Sequence, residues 1–426
     1  MFNRVLSREC LGARPFGNKV VVSAKRFWAY LPIHASILVS VSLLSACNSD
    51  SQEVVLNPVD TAKMQQTVEQ LAKEMLVPGA VVILRTPRGD FKTAYGVTRY
   101  GGSEATDFDL HVRVGSNTKT WVGTVILQMA QQGRLQLSDT VSMYLDNVPN
   151  GESITIEHLL TMRSGLFNYS TTLELNQTLD EQPTKVWTQA ELLAMSFAHK
   201  PGFASGSAFE YSNTNTVLLG LIAEQIDGKP LAAVMQQRLF APLGLERTLF
   251  PDIHSNTLPA PLARGYMYGT NVLTMDPPFK LPEKMQREAR EGILAPIDQT
   301  EANPSWGWAA GAGISSANEL ATWVEALVAG ELLDADWQRR RLDSVRPIDP
   351  DNPNTAYYGL GIAKFGSLYG HTGELPGYNS FMGHDPVNKV TLVVWTNLAP
   401  AVDGKDPATT IAAALINMLY IPSSYR

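Results

Sequence analysis

The chain has 426 residues, 44% hydrophobic and 18% charged, which excludes a disordered or fibrous protein. Its two cysteines, Cys10 and Cys47, are too few for a disulfide scaffold or for a cysteine-rich zinc or iron–sulfur site. Formal net charge is −7. Six cations against Glu9 in the first 46 residues leave the remainder at −12, which argues against nucleic-acid binding, because phosphate contacts need clustered Lys and Arg.

The N-terminal stretch is basic through Arg26 and then apolar and free of acids over residues 27–46, the order of a secretory signal. It ends Leu44-Ser45-Ala46-Cys47, which resembles the bacterial lipobox, whose cysteine is lipidated and becomes the mature N-terminus. The expected organisation is a lipoprotein signal over 1–46, a polar tether over 47–59 and one folded domain over 60–422. The expected location is the bacterial envelope, on the periplasmic side, with the membrane reached through lipidated Cys47. An intact mass showing unmodified Cys47 inside a longer chain would overturn that expectation.

In the body, residues 61–76 carry Met64, Val68, Leu71, Met75 and Leu76 at helical spacing, with Pro78-Gly79 as the stop. Ala80–Arg85 and Phe91–Gly96 read as strands around the turn Pro87–Asp90. Strand-like Val112–Gly115 leads into a helix from about Asn117 to Gln132. Further helices are expected over 155–163, 186–198, 216–226 and 230–240, and Ser316–Glu319 reads as a capping box before an apolar helix. Arg339-Arg340-Arg341 reads as the solvated face of another helix. Strands return at Tyr357–Lys364, Tyr378–Gly383 and Val390–Thr396, the last two joined as a hairpin. Asp406-Pro407 is expected to cap a terminal helix through Tyr420. The implied class is α+β: an antiparallel sheet built from both chain ends, flanked by helices, with an all-helical subdomain inserted.

Three short patterns carry chemistry. Ser116-Asn117-Thr118-Lys119 puts a lysine one helical turn from a serine, so its amine reaches the hydroxyl, and a serine needs such a base to become a nucleophile. Orphan N–H groups at the helix start suit a developing oxyanion. Tyr211-Ser212-Asn213 offers a phenol able to relay a proton and an amide able to hold a carbonyl. His371-Thr372-Gly373, with glycines on both sides, suggests a strand edge that another molecule approaches closely. No histidine pair has metal-ligand spacing, so neither a metal nor another cofactor is expected.

In this order, S-x-x-K, Y-x-N and [KH]-T-G resemble the penicillin-recognising serine hydrolases, that is, class C β-lactamases, D-alanyl-D-alanine carboxypeptidases and related esterases. The resemblance covers roughly residues 60–420. It implies that Ser116 forms an acyl-enzyme, that Lys119 and Tyr211 share the proton work, and that Asn213 orients the substrate amide. It further implies that His371 and Thr372 flank the bound carboxylate or leaving group beside Gly373. The backbone N–H groups of Ser116 and Glu374 would hold the oxyanion, and Trp306 and Phe167 would line the cleft. His371, where β-lactamases carry lysine, brings the chain nearer to the carboxypeptidases and esterases. Ala363 stands where the carboxypeptidases carry a carboxylate-binding arginine, which weakens that assignment. The expectation is a D-alanyl-D-alanine carboxypeptidase-type peptidase. The alternatives are an esterase, a β-lactamase, or a penicillin- or wall-peptide-binding lipoprotein that does not turn over. Expected partners are small peptides or esters, including peptidoglycan stem peptides and β-lactams.

Overall fold

The computed structural model describes residues 56–352 and 355–421. The signal-like stretch, Cys10 and Cys47 lie outside the described residues. Among those described, no helix is long and apolar enough to cross a membrane.

The strands are, in chain order, β1 Gly79–Arg85, β2 Phe91–Gly96, β3 Val112–Arg113, β4 Tyr266–Met267, β5 Ile297–Asp298 and β6 Ile314–Ser315. They continue with β7 Arg346–Pro347, β8 Tyr357–Tyr358, β9 Ala363–Phe365, β10 Leu368–Leu375, β11 Tyr378–Asp385 and β12 Val390–Thr396. Eight form one antiparallel sheet in the order β2-β1-β12-β11-β10-β9-β8-β7, so strands from the two ends of the chain meet within it, β1 against β12. Alternation explains why those two strands are apolar throughout. Val81, Ile83, Val393 and Trp395 enter the core on one face. Val82, Leu84, Leu392 and Val394 enter the core on the other. The helices Thr61–Glu74 and Pro407–Leu419 cover that second face. Helix Ala317–Ala329 and the inserted helical region cover the first. The α+β architecture is therefore the one expected. Its inserted region is helical apart from two two-stranded ladders, β3 with β6 and β4 with β5.

Local differences have identifiable causes. The strand expected over 357–364 breaks at Gly359-Leu360-Gly361, where Gly361 adopts φ +67°. The helix after Pro230 runs over Leu231–Met235 and then widens into a π turn at Gln236–Phe240. Ser316 caps its helix by accepting from the Glu319 N–H, but Glu319 does not return the bond. Its carboxylate accepts from the N–H groups of Glu246 and Arg247 and from the Thr248 hydroxyl, tying the helix start to a distant loop. The arginine run is only partly a solvated face. Arg339 pairs with Asp336 and Arg340 with Glu157, whereas Arg341 is buried and donates to Thr124 Oγ1 at 2.8 Å. Burial pushes its guanidinium down to about 9.

Candidate active site

Ser116 sits in a short 3-10 turn, Gly115–Asn117, immediately before the α-helix Thr118–Gln131. The turn is held from three sides. Asn117 Nδ2 donates to Val114 O and to Ser380 Oγ of β11. Ser380 Oγ donates in turn to Val114 O. Thr118 Oγ1 donates to Gly115 O and accepts from Gly313 N. Gly115 has φ +54°, and a Cβ there would lie 2.5 Å from the backbone N of Glu374. The serine turn therefore presses directly against β10, and only glycine permits it.

Lys119, one turn on, is fully buried. Its Nζ lies 2.9 Å from Ser116 Oγ, 2.7 Å from Asn213 Oδ1 and 2.7 Å from Ala310 O. The last two are obligate acceptors and take two N–H groups. The third position faces a hydroxyl, which can donate as well as accept. Burial, with no carboxylate among its contacts, drives the lysine well below its ordinary value. A neutral amine satisfies the same geometry: two N–H groups on the carbonyls and the lone pair aimed at the Ser116 proton. Asn213 is fixed for this task, since its Nδ2 donates to Ser170 Oγ and its N–H to Asn168 Oδ1.

The Tyr211 ring lies under the same amine, 4.8 Å from Nζ. Burial, reinforced by Tyr358, pushes the phenol well above its ordinary value, while its hydrogen bond with Ser116 works the other way. Tyr211 thus keeps its proton. Of the two groups expected to share the proton work, Lys119 is the one shifted toward its unprotonated form and Tyr211 the one shifted toward its protonated form.

β9 pairs with β10 only at residues 368–370, so the His371–Leu375 stretch of β10 has no strand partner on that side. Thr372, Gly373 and Glu374 line a cleft there, together with Ser116, Tyr211, Asn213, Trp306 and Asn379. Two expected placements are corrected. His371 does not line the cleft. Alternation along β10 sends its ring to the opposite face from Thr372 and Glu374. There Nδ1 donates to Thr372 O at 2.6 Å, which leaves Nε2 to accept from Tyr358 Oη at 3.2 Å. Burial, then the neighbouring Lys119, lower this imidazole to about 3, so it is neutral; it sits behind the cleft with its ring centroid 6.2 Å from that of Tyr211. Phe167 is absent from the cleft and stacks on His199 instead, ring centroids 3.9 Å apart.

Asp406 and Thr409 also line the cleft, and sequence reasoning missed both. Asp406 reads as a helix cap in the sequence. In the fold its side chain does not cap; Asn379 Oδ1 accepts from the Ala408 and Thr409 N–H groups in its place. Among the described residues no cluster of His, Cys, Asp and Glu could hold a metal ion.

A pH dependence follows. The reactive form needs neutral Lys119, so kcat/KM is expected to rise with pH through the lysine's lowered pKa and then level off. His371 is already neutral at pH 5, so it adds no inflection between pH 5 and 8. A pH–rate profile of His371→Asn that keeps the wild-type shape checks this.

A serine hydroxyl beside a buried lysine amine, faced by a tyrosine and opened to a strand edge, is the site of a serine hydrolase. The chain belongs to the Beta-lactamase family, whose profile matches residues 64–416. A D-stereospecific amidohydrolase from Streptomyces sp. is similar to it at 28% identity, with TM-score 0.71, covering 84% of this chain and 98% of that one. The fold of D-amino acid amidase from Ochrobactrum anthropi SV3 matches with TM-score 0.69 at 24% identity, over 84% of this chain and 98% of that one. Protein flp of Staphylococcus aureus (strain N315) is 25% identical over 350 residues, which are 79% of this chain but 64% of the relative's length.

Proposed function

We propose that the chain is an amidohydrolase for small D-amino acyl amides and peptides, working through an acyl-enzyme on Ser116. The observation that carries the reaction type is Lys119 Nζ, held by two carbonyl acceptors 2.9 Å from Ser116 Oγ. Lys119 takes the serine proton as Oγ bonds to the substrate carbonyl carbon. The N–H groups of Ser116 and Glu374 receive the oxyanion; as the C–N bond breaks, Tyr211 gives its proton to the departing amine and takes back the one held by Lys119, which returns to its neutral form. Water then repeats the sequence on the ester. The D-amino acyl preference is supported by the amidohydrolase and amidase named above.

The carboxypeptidase reading has less support. Among the described residues, no lysine, arginine or histidine lines the cleft to bind a terminal carboxylate. Lys364, the cation nearest in sequence to the missing arginine, lies over the Tyr369 ring with Nζ 4.9 Å from its centroid. Esters remain substrates of the same chemistry.

The test has two arms. A fluorophosphonate is expected to add one label, located at Ser116 by peptide mass spectrometry. D-alaninamide is expected to be turned over faster than L-alaninamide, a D-Ala-D-Ala peptide or a chromogenic cephalosporin. Labelling at any residue other than Ser116 overturns the acyl-enzyme, and a faster cephalosporin overturns the substrate class.

A further inference from the structure

A second pocket adjoins the catalytic cleft. Trp306 and Leu375 line both, and Pro376 carries the second pocket one residue past the end of β10. Its lining also contains Arg113, Asn271 and Gln299 and, among the described residues, no carboxylate.

Arg113 comes from β3, three residues before Ser116, and is 3% exposed. Burying a guanidinium is costly unless its charge and its donors are met. Here only Nη2 is met, by the carbonyls of Asn256, Thr300 and Ala302 at 2.9, 3.1 and 3.2 Å. Nε and Nη1 have no partner among the described residues. Burial lowers the group to about 10, which leaves it charged at neutral pH. The three carbonyls tie Arg113 to two distant segments but bring no net charge to balance it.

Asn271, 1% exposed, supplies the opposite character. Its N–H and its Nδ2 both donate to Asp180 Oδ1, and the Val272 N–H donates to Asp180 Oδ2. Asp180 is thereby occupied and lies outside the lining, while the Asn271 amide is fixed with Oδ1 as a buried acceptor that has no partner. The pocket thus offers unmet donors on a cation and an unmet acceptor on a neutral amide. A carboxylate with an N–H beside it, the last residue of a peptide, is the complement of both.

We infer that Arg113 and Asn271 form a carboxylate subsite for the free C-terminus of a short peptide from which Ser116 removes the N-terminal D-residue. This rests on the amidohydrolase reading and narrows it. The Glu374 N–H lies beside the serine turn, and a strand rises about 3.3 Å per residue, so Pro376 is about 7 Å further along. A dipeptide keeps its carboxylate in the cleft, where no cation lines the wall; a tri- or tetrapeptide carries it into the second pocket.

The test measures D-alanine released from D-Ala-Gly, D-Ala-Gly-Gly and D-Ala-Gly-Gly-Gly, each as free acid and as C-terminal amide. In the tri- or tetrapeptide the acid is expected to exceed the amide about tenfold in kcat/KM, carried by KM, with no such preference in the dipeptide. Gln299→Glu adds a carboxylate to the pocket lining and should bring that ratio to about one. Arg113→Gln should do the same; because it also unties the segments at Asn256 and Thr300, Gln299→Glu decides the question if that variant fails to fold. Each ratio is taken within one protein, so a general loss of activity cancels. A ratio of about one at every length in the wild-type enzyme, or a ratio unmoved in Gln299→Glu, overturns the subsite and leaves Arg113 a structural tie. If Ser116 still labels and amides still turn over, that result leaves the amidohydrolase reading standing. Failure to label Ser116 removes both.

Discussion

Lys119→Arg is expected to lower kcat/KM about 10³-fold or more, close to the loss in Lys119→Ala and toward the floor set by Ser116→Ala. By charge alone the substitution is conservative. By mechanism it is not, because arginine stays protonated at every working pH and has no lone pair to offer Ser116. The site disfavours a cation here: the amine is fully buried, no carboxylate contacts it, and desolvation holds it well below its ordinary value. A guanidinium would also be too large for the space between Asn213 Oδ1 and Ala310 O. A 10³-fold loss corresponds to about 4 kcal/mol of transition-state stabilisation, within the range for removing a general base. Steady-state kinetics on D-alaninamide and the rate of fluorophosphonate labelling should fall together, since both need the activated serine. Tyr211→Phe keeps the base and removes only the relay, so it should lose less. An arginine variant retaining a tenth of wild-type activity would show that Lys119 is not the base.

The parts of this site that the sequence reveals are those set by local spacing. Ser116 and Lys119 are one helical turn apart, and any helix starting near Asn117 brings them together. Tyr211 and Asn213 are legible only through the order of three motifs, because nothing local says that the start of the helix Asn213–Asp227 meets Lys119. The sheet order from both chain ends follows the same logic: apolar runs mark β1 and β12, and the helices between them mark the insertion.

What is not legible depends on which way a side chain faces and on long-range topology. The period of two along β10 gives the cleft lining to Thr372 and Glu374 and puts the His371 imidazole behind it, beside Tyr358 and Tyr211, which residue type alone does not say. Asp406 before a proline is the ordinary signature of a helix start. Its role at the cleft appears only once Asn379 of β11 has taken over the capping. Arg341 sits in a run of three arginines with no sequence signal that one of them is buried against Thr124. The Lys119 amine carries the same lesson in energetic form. Its position can be read from a four-residue motif, but its lowered pKa comes from burial among elements distant in the sequence, such as Ala310, 191 residues away, with no carboxylate among its contacts.

Gly373→Ala is expected to cost both stability and catalysis, and a second glycine in the same strand separates the two. A Cβ at position 373 would lie 1.9 Å from Val114 O and 2.5 Å from Ser380 Oγ. Those two atoms are bonded to each other and share the Asn117 side chain as donor, so neither can retreat without releasing the serine turn. β10 must move instead, and Glu374 moves with it, carrying its N–H away from Gly115 and the oxyanion position. A Cβ at Gly370, in the same strand, would lie 2.0 Å from Met382 O, an equally severe backbone clash but on the side away from Ser116. Both variants should therefore lose about 1–3 kcal/mol of stability or more, read as a lower Tm. Only Gly373→Ala should also lose about 100-fold or more in kcat, the scale of removing one oxyanion donor. A displaced donor acts on the transition state and not on ground-state binding, so KM should change far less. Equal kcat losses in the two variants would mean that general loosening of β10, and not the position of the Glu374 N–H, limits the chemistry.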